Sequence, residues 1–402
     1  MIPPPAPRAG RAGSGAAAGA PAGVPPGGAP SSIRDVATAA GVSVATVSRA
    51  LRGLDRVSAD TRRRVLAAAE ALDYVASPTA ASLATGRTSV VGVVLPFLDR
   101  WFFSTVVSEV EDVLRRSGYQ VLLLNVGDRS LERPMVLDQR LLAKRIDGVL
   151  VLSVDLDAEE TGVLDRLGLP VVTVGSALPG HDRVGIDDGA AVETAAQHLL
   201  ALGHRRIAHV GGDSGTDVRR ATAVDRALGV RRAMAAADVA LPGQLDVVAD
   251  WTVTGGWRAA EALLARRDPP TAVLAASDEM AIGALCAARA LGWDVPRHLS
   301  VVGVDDHEMA VTHDLTTVAQ PVRSQGRLAA EMLLGRLRGH VPAGAREVLL
   351  STSLVVRAST APPRREVRPR RRVVLGRQVL AAVGGDVEHA RGQEERGAPT
   401  NR

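Results

Sequence analysis

Residues 33–51 read IRDVATAAGVSVATVSRAL, and this stretch decides the fold of the N-terminal part of the chain. Ser32 precedes it and can cap a helix, with Asp35 three residues on to close a capping box. Val36 and Ala40 keep helical spacing, which predicts a first helix over 33–40. Gly41 takes the turn, in a backbone conformation that a side chain would oppose. Ser43 can cap a second helix over 44–51, and Gly53 ends that region. Ser58 can cap a third, from 59 to about 73. Val36, Ala40, Val47, Leu51, Val65, Leu66, Ala69 and Leu72 then share one small core, with Ala37 small where two helices cross. This is a helix-turn-helix head over residues 31–76.

With Val47 facing inward, the second helix leaves Val44, Ala45, Thr46, Ser48 and Arg49 on or near its exposed face. A helix that presents its N-terminal residues to a major groove reads bases with these positions. Arg49 can make a paired contact to guanine, and Val44 and Ala45 can touch a thymine methyl. Thr46, Ser48 and the amides near the capped end suit phosphates. Ser32, Ile33, Ser43, Arg52, Arg56, Ser58 and Thr61 border this face and complete the candidate DNA-contacting set. The competing reading is a generic three-helix module with incidental surface arginines.

Charge is unevenly spread over the 402 residues. Residues 31–87 hold eight Arg against five acids, while 88–360 carry a net −6. A small basic head on an acidic body implies that the head meets a polyanion. Residues 1–30 are Pro/Ala/Gly-rich and cannot bury a core, so they read as disordered and not as a secretory signal. Residues 358–402 read as a basic disordered tail that opens on PPRREVRPRRR from Pro362 and holds no sustained leucine heptad, with non-specific DNA contact as its functional reading. The lone Cys286 excludes a disulfide scaffold and a cysteine-based zinc site. No apolar run reaches the roughly 18–20 residues that span a bilayer. The expectation is a soluble, cytoplasmic protein.

From Val90 onward, short Val/Leu runs alternate with amphipathic stretches of 12–18 residues. The runs lie at 90–95, 121–125, 148–152, 171–174, 207–210, 247–249, 272–275 and 300–304. The intervening helix candidates lie at 103–117, 131–144, 189–202, 223–237, 254–266, 279–291 and 322–338. Continuous apolar strands between helices predict parallel β/α layers with both sheet faces covered. About ten strands over some 270 residues fit two doubly wound lobes, with a ligand site in the cleft at the carboxyl ends of the strands. Residues 77–87, SPTAASLATGR, form a short helix candidate that needs a partner to fold.

The head motif, the helix 3 entry Arg56-Val57-Ser58-Ala59-Asp60-Thr61-Arg62, the Ala71-Leu72-Asp73-Tyr74 end, Thr85-Gly86-Arg87-Thr88 and Gly92-Val93-Val94 together resemble the LacI/GalR family of bacterial transcription regulators. The resemblance covers the chain to about residue 357. It implies an all-α head joined to an α/β body of the type I periplasmic-binding-protein kind, spanning 88–357. It implies a homodimer on a pseudo-palindromic operator, controlled by a small-molecule effector. It also makes 77–87 a hinge helix in which Leu83 wedges into the minor groove, with Ser77 capping and Ala80 on the same face. Ala76, Ser77 and Ala81 depart from the family's usual Pro, Asn and Arg or Gln.

In the body the resemblance places Arg226 and Asp305 at the effector; Gln320, at a lobe crossover, is a lesser candidate, and Asp278, which ends a strand, is either a contact or a helix cap, with Ser277 as the alternative contact. With three Phe, four Trp and two Tyr in all, aromatic placement is informative. Trp101, Phe102 and Trp251 fall at pocket positions where a ring can stack on a pyranose, whereas Phe103, Trp257 and Trp293 read as packing. The expected effector is a sugar, with a purine or nucleoside as the alternative. The rival functions are a secreted sugar-binding protein without a DNA-binding role, and an enzyme on the same scaffold. Neither fits well: a helix-turn-helix is present, no GxGxxG or phosphate-loop motif follows a strand, and His198, His204 and His209 lack the i, i+4 spacing of paired metal ligands. No cofactor or metal is expected.

Overall fold

A computed structural model describes residues 31–51, 56–74, 86–127, 138–212, 220–340 and 344–364. The chain divides into two compact units, 1–84 and 85–402.

In the first unit, α1 (Ile33–Ala40), α2 (Val44–Leu51) and α3 (Ala59–Ala71) pack around Val36, Ala37, Ala40, Val47, Ala50, Val65 and Ala69. The Ser32–Asp35 capping box is complete: the Asp35 amide donates to Ser32 Oγ and the Ser32 amide donates to the Asp35 carboxylate at 2.8 Å. Gly41 sits at φ +63°, where a Cβ would strain the turn between α1 and α2. Leu66 departs from the expected core. It is half exposed, because α3 presents only its Val65–Ala69 edge to the other two helices.

Among its described residues, the second unit holds two six-stranded sheets. Its strands are β1 (Val90–Leu95), β2 (Gln120–Asn125), β3 (Gly148–Leu152), β4 (Val171–Val174), β5 (Asp182–Gly185), β6 (Ile207–Gly212), β7 (Asp246–Ala249), β8 (Ala272–Ala275), β9 (Ser300–Asp305), β10 (Thr316–Ala319), β11 (Glu347–Leu349) and β12 (Ser353–Val355). Lobe 1 has the order β11-β5-β4-β3-β1-β2, all parallel. Lobe 2 has the order β12-β10-β9-β8-β6-β7, parallel except for the antiparallel edge strand β12.

Helices α4 (Trp101–Arg116), α5 (Gln139–Leu142), α6 (Ala158–Leu167), α7 (Asp188–Ala201), α8 (Arg220–Ala236), α9 (Val253–Leu264), α10 (Asp278–Ala290), α11 (Glu308–Thr312) and α12 (Val322–Leu337) surround the sheets. One face of sheet 1 packs on α4 and α12, and the other on Leu142 and Leu164 of α5 and α6. Sheet 2 lies between α9 and α10 on one face and α7 and α8 on the other. Because α12 follows β10 of lobe 2 but packs on α4, neither lobe is a continuous stretch of chain. The chain crosses between lobes at 186–188, 320–321 and 350–352.

The carboxyl ends of the two sheets face each other. Trp101, after β1, packs against His307, after β9, with ring centroids 4.7 Å apart and the rings tilted by 40°. The Ala221 amide at the start of α8 donates to Asp155, after β3, at 2.9 Å. The amino ends of the strands therefore form two opposite poles.

The expected body end at residue 357 needs correction. Residues 357–361 run across the starts of the lobe 2 strands. Ser359 is buried, with its Oγ donating to Val301 O at 2.6 Å and accepting from the Thr316 amide at 2.8 Å. His204 sits within hydrogen-bonding distance of Thr271 Oγ1, Ser300 Oγ and Ala361 O. The body thus extends at least to Ala361, and residues beyond 364, like 1–30 and 75–85, lie outside the described residues. A chain ended after Arg357 should lose roughly 2–4 kcal/mol of stability, because buried groups on β9 and β10 lose their partners. A chain ended after Arg364 should match the full length. Urea unfolding of the two truncations checks this, and equal midpoints would refute it.

Candidate functional site

On the head, Ser43, Val44, Ala45 and Arg49 are exposed, while Thr46 and Ser48 are half-buried. Val44, 40% exposed, is an apolar side chain held open to solvent, which a folding role does not explain. Ser43 caps α2, accepting from the Thr46 amide at 3.1 Å, and Ser58 caps α3, accepting from the Thr61 amide at 3.2 Å. Both serines thereby aim the free amides of a helix start outward. Ile33 packs against the head core, and Arg56 is exposed. Arg34 and Thr38 of α1, which sequence reasoning passed over, line a shallow concavity with Ser43 and Val44. Their signal was present: both lie on the polar face of α1. Arg52, Ser77, Ala80 and Leu83 lie outside the described residues.

In the body, the cleft residues form a connected run. Arg226, two turns into α8, is only 1% exposed. Its Nε and Nη2 reach Asp188, the first residue of α7, each at 2.7 Å, and its Nη1 donates to Ala276 O. The same Nη1 lies 3.7 Å from Asp305 Oδ1. Gln320 Nε2 donates to Asp305 Oδ1 at 2.6 Å, and Gln325 Nε2 of α12 donates to Gln320 Oε1 at 2.8 Å. The run Asp188–Arg226–Asp305–Gln320–Gln325 therefore touches two of the three connections between lobes. Burial opposes the charge on Arg226, but the Asp188 and Asp305 carboxylates outweigh it and raise its pKa.

Asp278 is fully buried beside this run. Its Oδ1 accepts from Thr317 Oγ1 at 2.7 Å and its Oδ2 from the His307 amide at 2.9 Å. Burial, then the nearby Asp305 charge, push its carboxyl up to about 8. Helix α10 is capped by Ser277, which accepts from the Met280 amide, so the capping role expected for Asp278 belongs to its neighbour. His307 is lowered by burial.

Trp251 lies over the Arg226 guanidinium, 5.9 Å from ring centroid to Cζ, and flat against Gly212, where any Cβ would collide with the indole. Trp101 is half-buried at the cleft, whereas Phe102 turns into the lobe 1 core, edge-on to Phe103. Trp257 and Trp293 pack against the lobe 2 core. At the cleft, Trp251, Asp305 and Asp306 hold φ of +63°, +131° and +57°; Asp73, Ser89, Lys144, Asp238 and Asp314 hold positive φ elsewhere. Such a conformation costs on the order of 1–3 kcal/mol and persists because the surrounding structure enforces it. Arg226 has its donors engaged by the protein, so a bound molecule gains it only by exchange. Asp188, Gln325 and His307 were missed in the sequence. Asp188 could have been marked as the acid opening the first crossover helix.

The geometry defines a class: a helix-turn-helix head on a two-lobed α/β body with a polar cleft. A profile of bacterial regulatory proteins of the lacI family matches residues 32–77, and one of the periplasmic binding protein-like domain matches 196–360. Catabolite control protein A of Priestia megaterium is 32% identical over 306 residues, covering 75% of this chain and 91% of that protein. The structure of the transcriptional regulator CelR–cellobiose complex is 34% identical, with a TM-score of 0.62 over 82% of this chain and 99% of that one. The Lac repressor dimer bound to operator and the anti-inducer ONPF is 28% identical, with a TM-score of 0.74 over 83% and 100%. The chain belongs to the lacI family of bacterial regulatory proteins, and it is a DNA-binding transcription regulator.

The raised Asp278 carboxyl sets a pH dependence. A carboxyl whose pKa rises on folding contributes stability that is full below about pH 4 and is lost as pH climbs to about 8. Asp278→Asn cannot ionise, so it should lose less stability than the parent between pH 5.5 and 8.5. Parallel unfolding curves at these pH values check the difference, and equal losses would show that Asp278 is ionised throughout.

Proposed function

We propose that the protein is a cytoplasmic repressor that works as a homodimer and takes no part in catalysis. Each head reads half of a pseudo-palindromic operator, and a neutral small molecule in the cleft sets the affinity for DNA. The observation that carries this reading is the buried run from Asp188 to Gln325. It joins the candidate effector residues Arg226, Asp305 and Gln320 to two connections between the lobes. A molecule that competes for any bond of the run shifts the lobes, and through residues 77–87 the spacing of two heads. Leu83 wedges into the minor groove in this scheme, supported by Ser77 and Ala80.

The ligand class follows from charge. Asp188 and Asp305 face one guanidinium, and Asp278 is held neutral at moderate pH. The floor is therefore acceptor-rich and disfavours an anion. Hydroxyl groups can donate to it while Trp101 offers a face to an apolar ring, and Trp251, buried between Gly212 and the guanidinium, walls the cleft behind them. A sugar fits both features, and the cellobiose complex of the similar CelR supports it. A purine or nucleoside is the second reading, favoured only by the stacking surfaces.

On the head, Arg49 reads a guanine, Val44 and Ala45 meet thymine methyls, and Ser43, Thr46, Ser48 and Arg34 meet phosphates. Arg49→Ala should weaken binding by about 1–3 kcal/mol on a duplex recovered by selection from a random pool, and should relax the preference at one base pair. An unchanged titration and an unchanged selected sequence would reject the assignment. For the effector, a thermal-shift screen of mono- and disaccharides against nucleosides should find a sugar that stabilises the parent but not Asp305→Asn. Stabilisation by nucleosides alone would replace the ligand class, and equal stabilisation of the variant would move the site.

A further inference from the structure

Lobe 1 carries a cavity that none of the candidate effector residues lines. It measures about 530 Å³ and lies between α6 and the carboxyl ends of β3 and β4. Its apolar wall is Val151, Val154 and Leu178, which belong to the core beneath α6. The opposite wall is acidic. Asp155, Asp157 and Asp165 line it, and no Lys, Arg or His does so among the described residues. Arg166 lies in the neighbouring groove, with Glu159 and Glu160.

Two independent features give this cavity a chemistry. The first is the spacing of its acids. Asp157 caps α6, accepting from the Glu160 amide at 2.9 Å. Asp165 lies near the other end of the same helix, with His181 Nε2 3.1 Å from its Oδ1. Positions 157, 161 and 165 recur every four residues, so Asp157, Thr161 and Asp165 form one stripe along α6. Eight residues at the helical rise set the two acids about 12 Å apart. An ionised carboxylate offers about four lone-pair sites, so these bonds leave both acids able to accept more. The second feature is Ser176. It lines the cavity and is only 5% exposed, yet its Oγ has no hydrogen-bond partner among the described residues. A buried hydroxyl left unpaired is a cost that a bound molecule removes.

We propose that this cavity is a second small-molecule site, which takes a linear polyamine with one terminal ammonium on Asp157, the other on Asp165, and Ser176 Oγ accepting from a further N–H. Alkyl ammonium groups stay charged at neutral pH, and a wall of three carboxylates without a base attracts them. The methylene chain then lies against Val154 and Leu178. A sugar meets the acids with hydroxyls but gains no ionic attraction, and two acids about 12 Å apart suit an extended chain better than one ring. Asp155 completes the acidic wall and also accepts from the Ala221 amide of lobe 2 at 2.9 Å, so the site adjoins a contact between the lobes.

The test is a calorimetric titration of spermidine into the full chain at 150 mM NaCl, where general attraction to an acidic surface is screened. The parent should bind one equivalent per chain. The double variant Asp157→Asn/Asp165→Asn keeps the side-chain shapes and the helix cap, and should bind at least tenfold more weakly. Glu261→Gln/Glu331→Gln removes the same charge from two exposed acids outside the cavity, and should bind as the parent does. Ser176→Ala should melt no lower than the parent without ligand, because it loses no hydrogen bond, and should bind spermidine several-fold more weakly. No saturable binding to the parent would overturn the proposal. Equal weakening in the two double variants would trace the binding to the acidic body as a whole, and would overturn it as well. So would a Ser176→Ala chain that melts lower and binds as tightly as the parent. Binding of a disaccharide but not of spermidine, lost in Asp157→Asn/Asp165→Asn, would replace the ligand class. Asp305 and Arg226 do not line this cavity, so this proposal and the effector assignment fail separately.

Discussion

The body is organised around one buried cation. Arg226 is withdrawn almost completely from water, which costs several kcal/mol unless its charge is matched. Asp188 matches it from the first crossover, and Asp305 lies within ion-pair distance at the end of a central strand. Through Gln320 and Gln325 the same charge is felt at the second crossover. None of these groups can move independently without leaving a buried charge or dipole exposed to an apolar surround. A cleft built this way has a small set of discrete arrangements, because partial breakage of the run is more costly than exchange of one partner for another.

That rigidity also holds strained backbone in place at the cleft. Trp251, Asp305 and Asp306 adopt backbone conformations that non-glycine residues avoid. All three follow or end strands that point into the cleft, and Trp251 is pressed onto Gly212 and the guanidinium together. The surrounding sheet, whose strands are apolar on both faces, supplies the stability that holds them there. The acidic Asp278, kept neutral by burial and by Asp305, spares the site one further buried charge.

The head was legible almost to the residue, because caps, a turn glycine and a helical period coincide within twenty residues: α1 and α2 begin and end where Ser32, Gly41 and Ser43 place them. Most strands were legible as Val/Leu runs, but β5, β10, β11 and β12 were not. These read DRVG, TTVA, EVL and SLV, and β10 buries its threonines only because Ser359, Arg357 and Asp278 supply hydrogen bonds from distant parts of the chain. The same non-local satisfaction hid the true end of the body, since nothing in the string Ser359-Thr360-Ala361 signals burial. In the cleft, a resemblance located Arg226 and Asp305, but the partner Asp188 lies 38 positions from Arg226 and no periodicity joins them. Phe102 shows the limit from the other side: adjacent to Trp101 in sequence, it faces the core because a helix turns consecutive side chains by about 100°.

The central claim is that the Asp188–Arg226 pair couples the cleft to DNA binding. Asp188→Asn keeps the shape and a hydrogen bond while removing the charge, and its residue is remote from the head in sequence. The most direct measurement is the affinity of this variant for a duplex selected by the parent protein, with no effector present. The account predicts a change of about 5–150-fold, the range of ordinary coupling energies, with the sequence preference intact. An affinity equal to that of the parent, in a variant whose body still melts cooperatively, would contradict it.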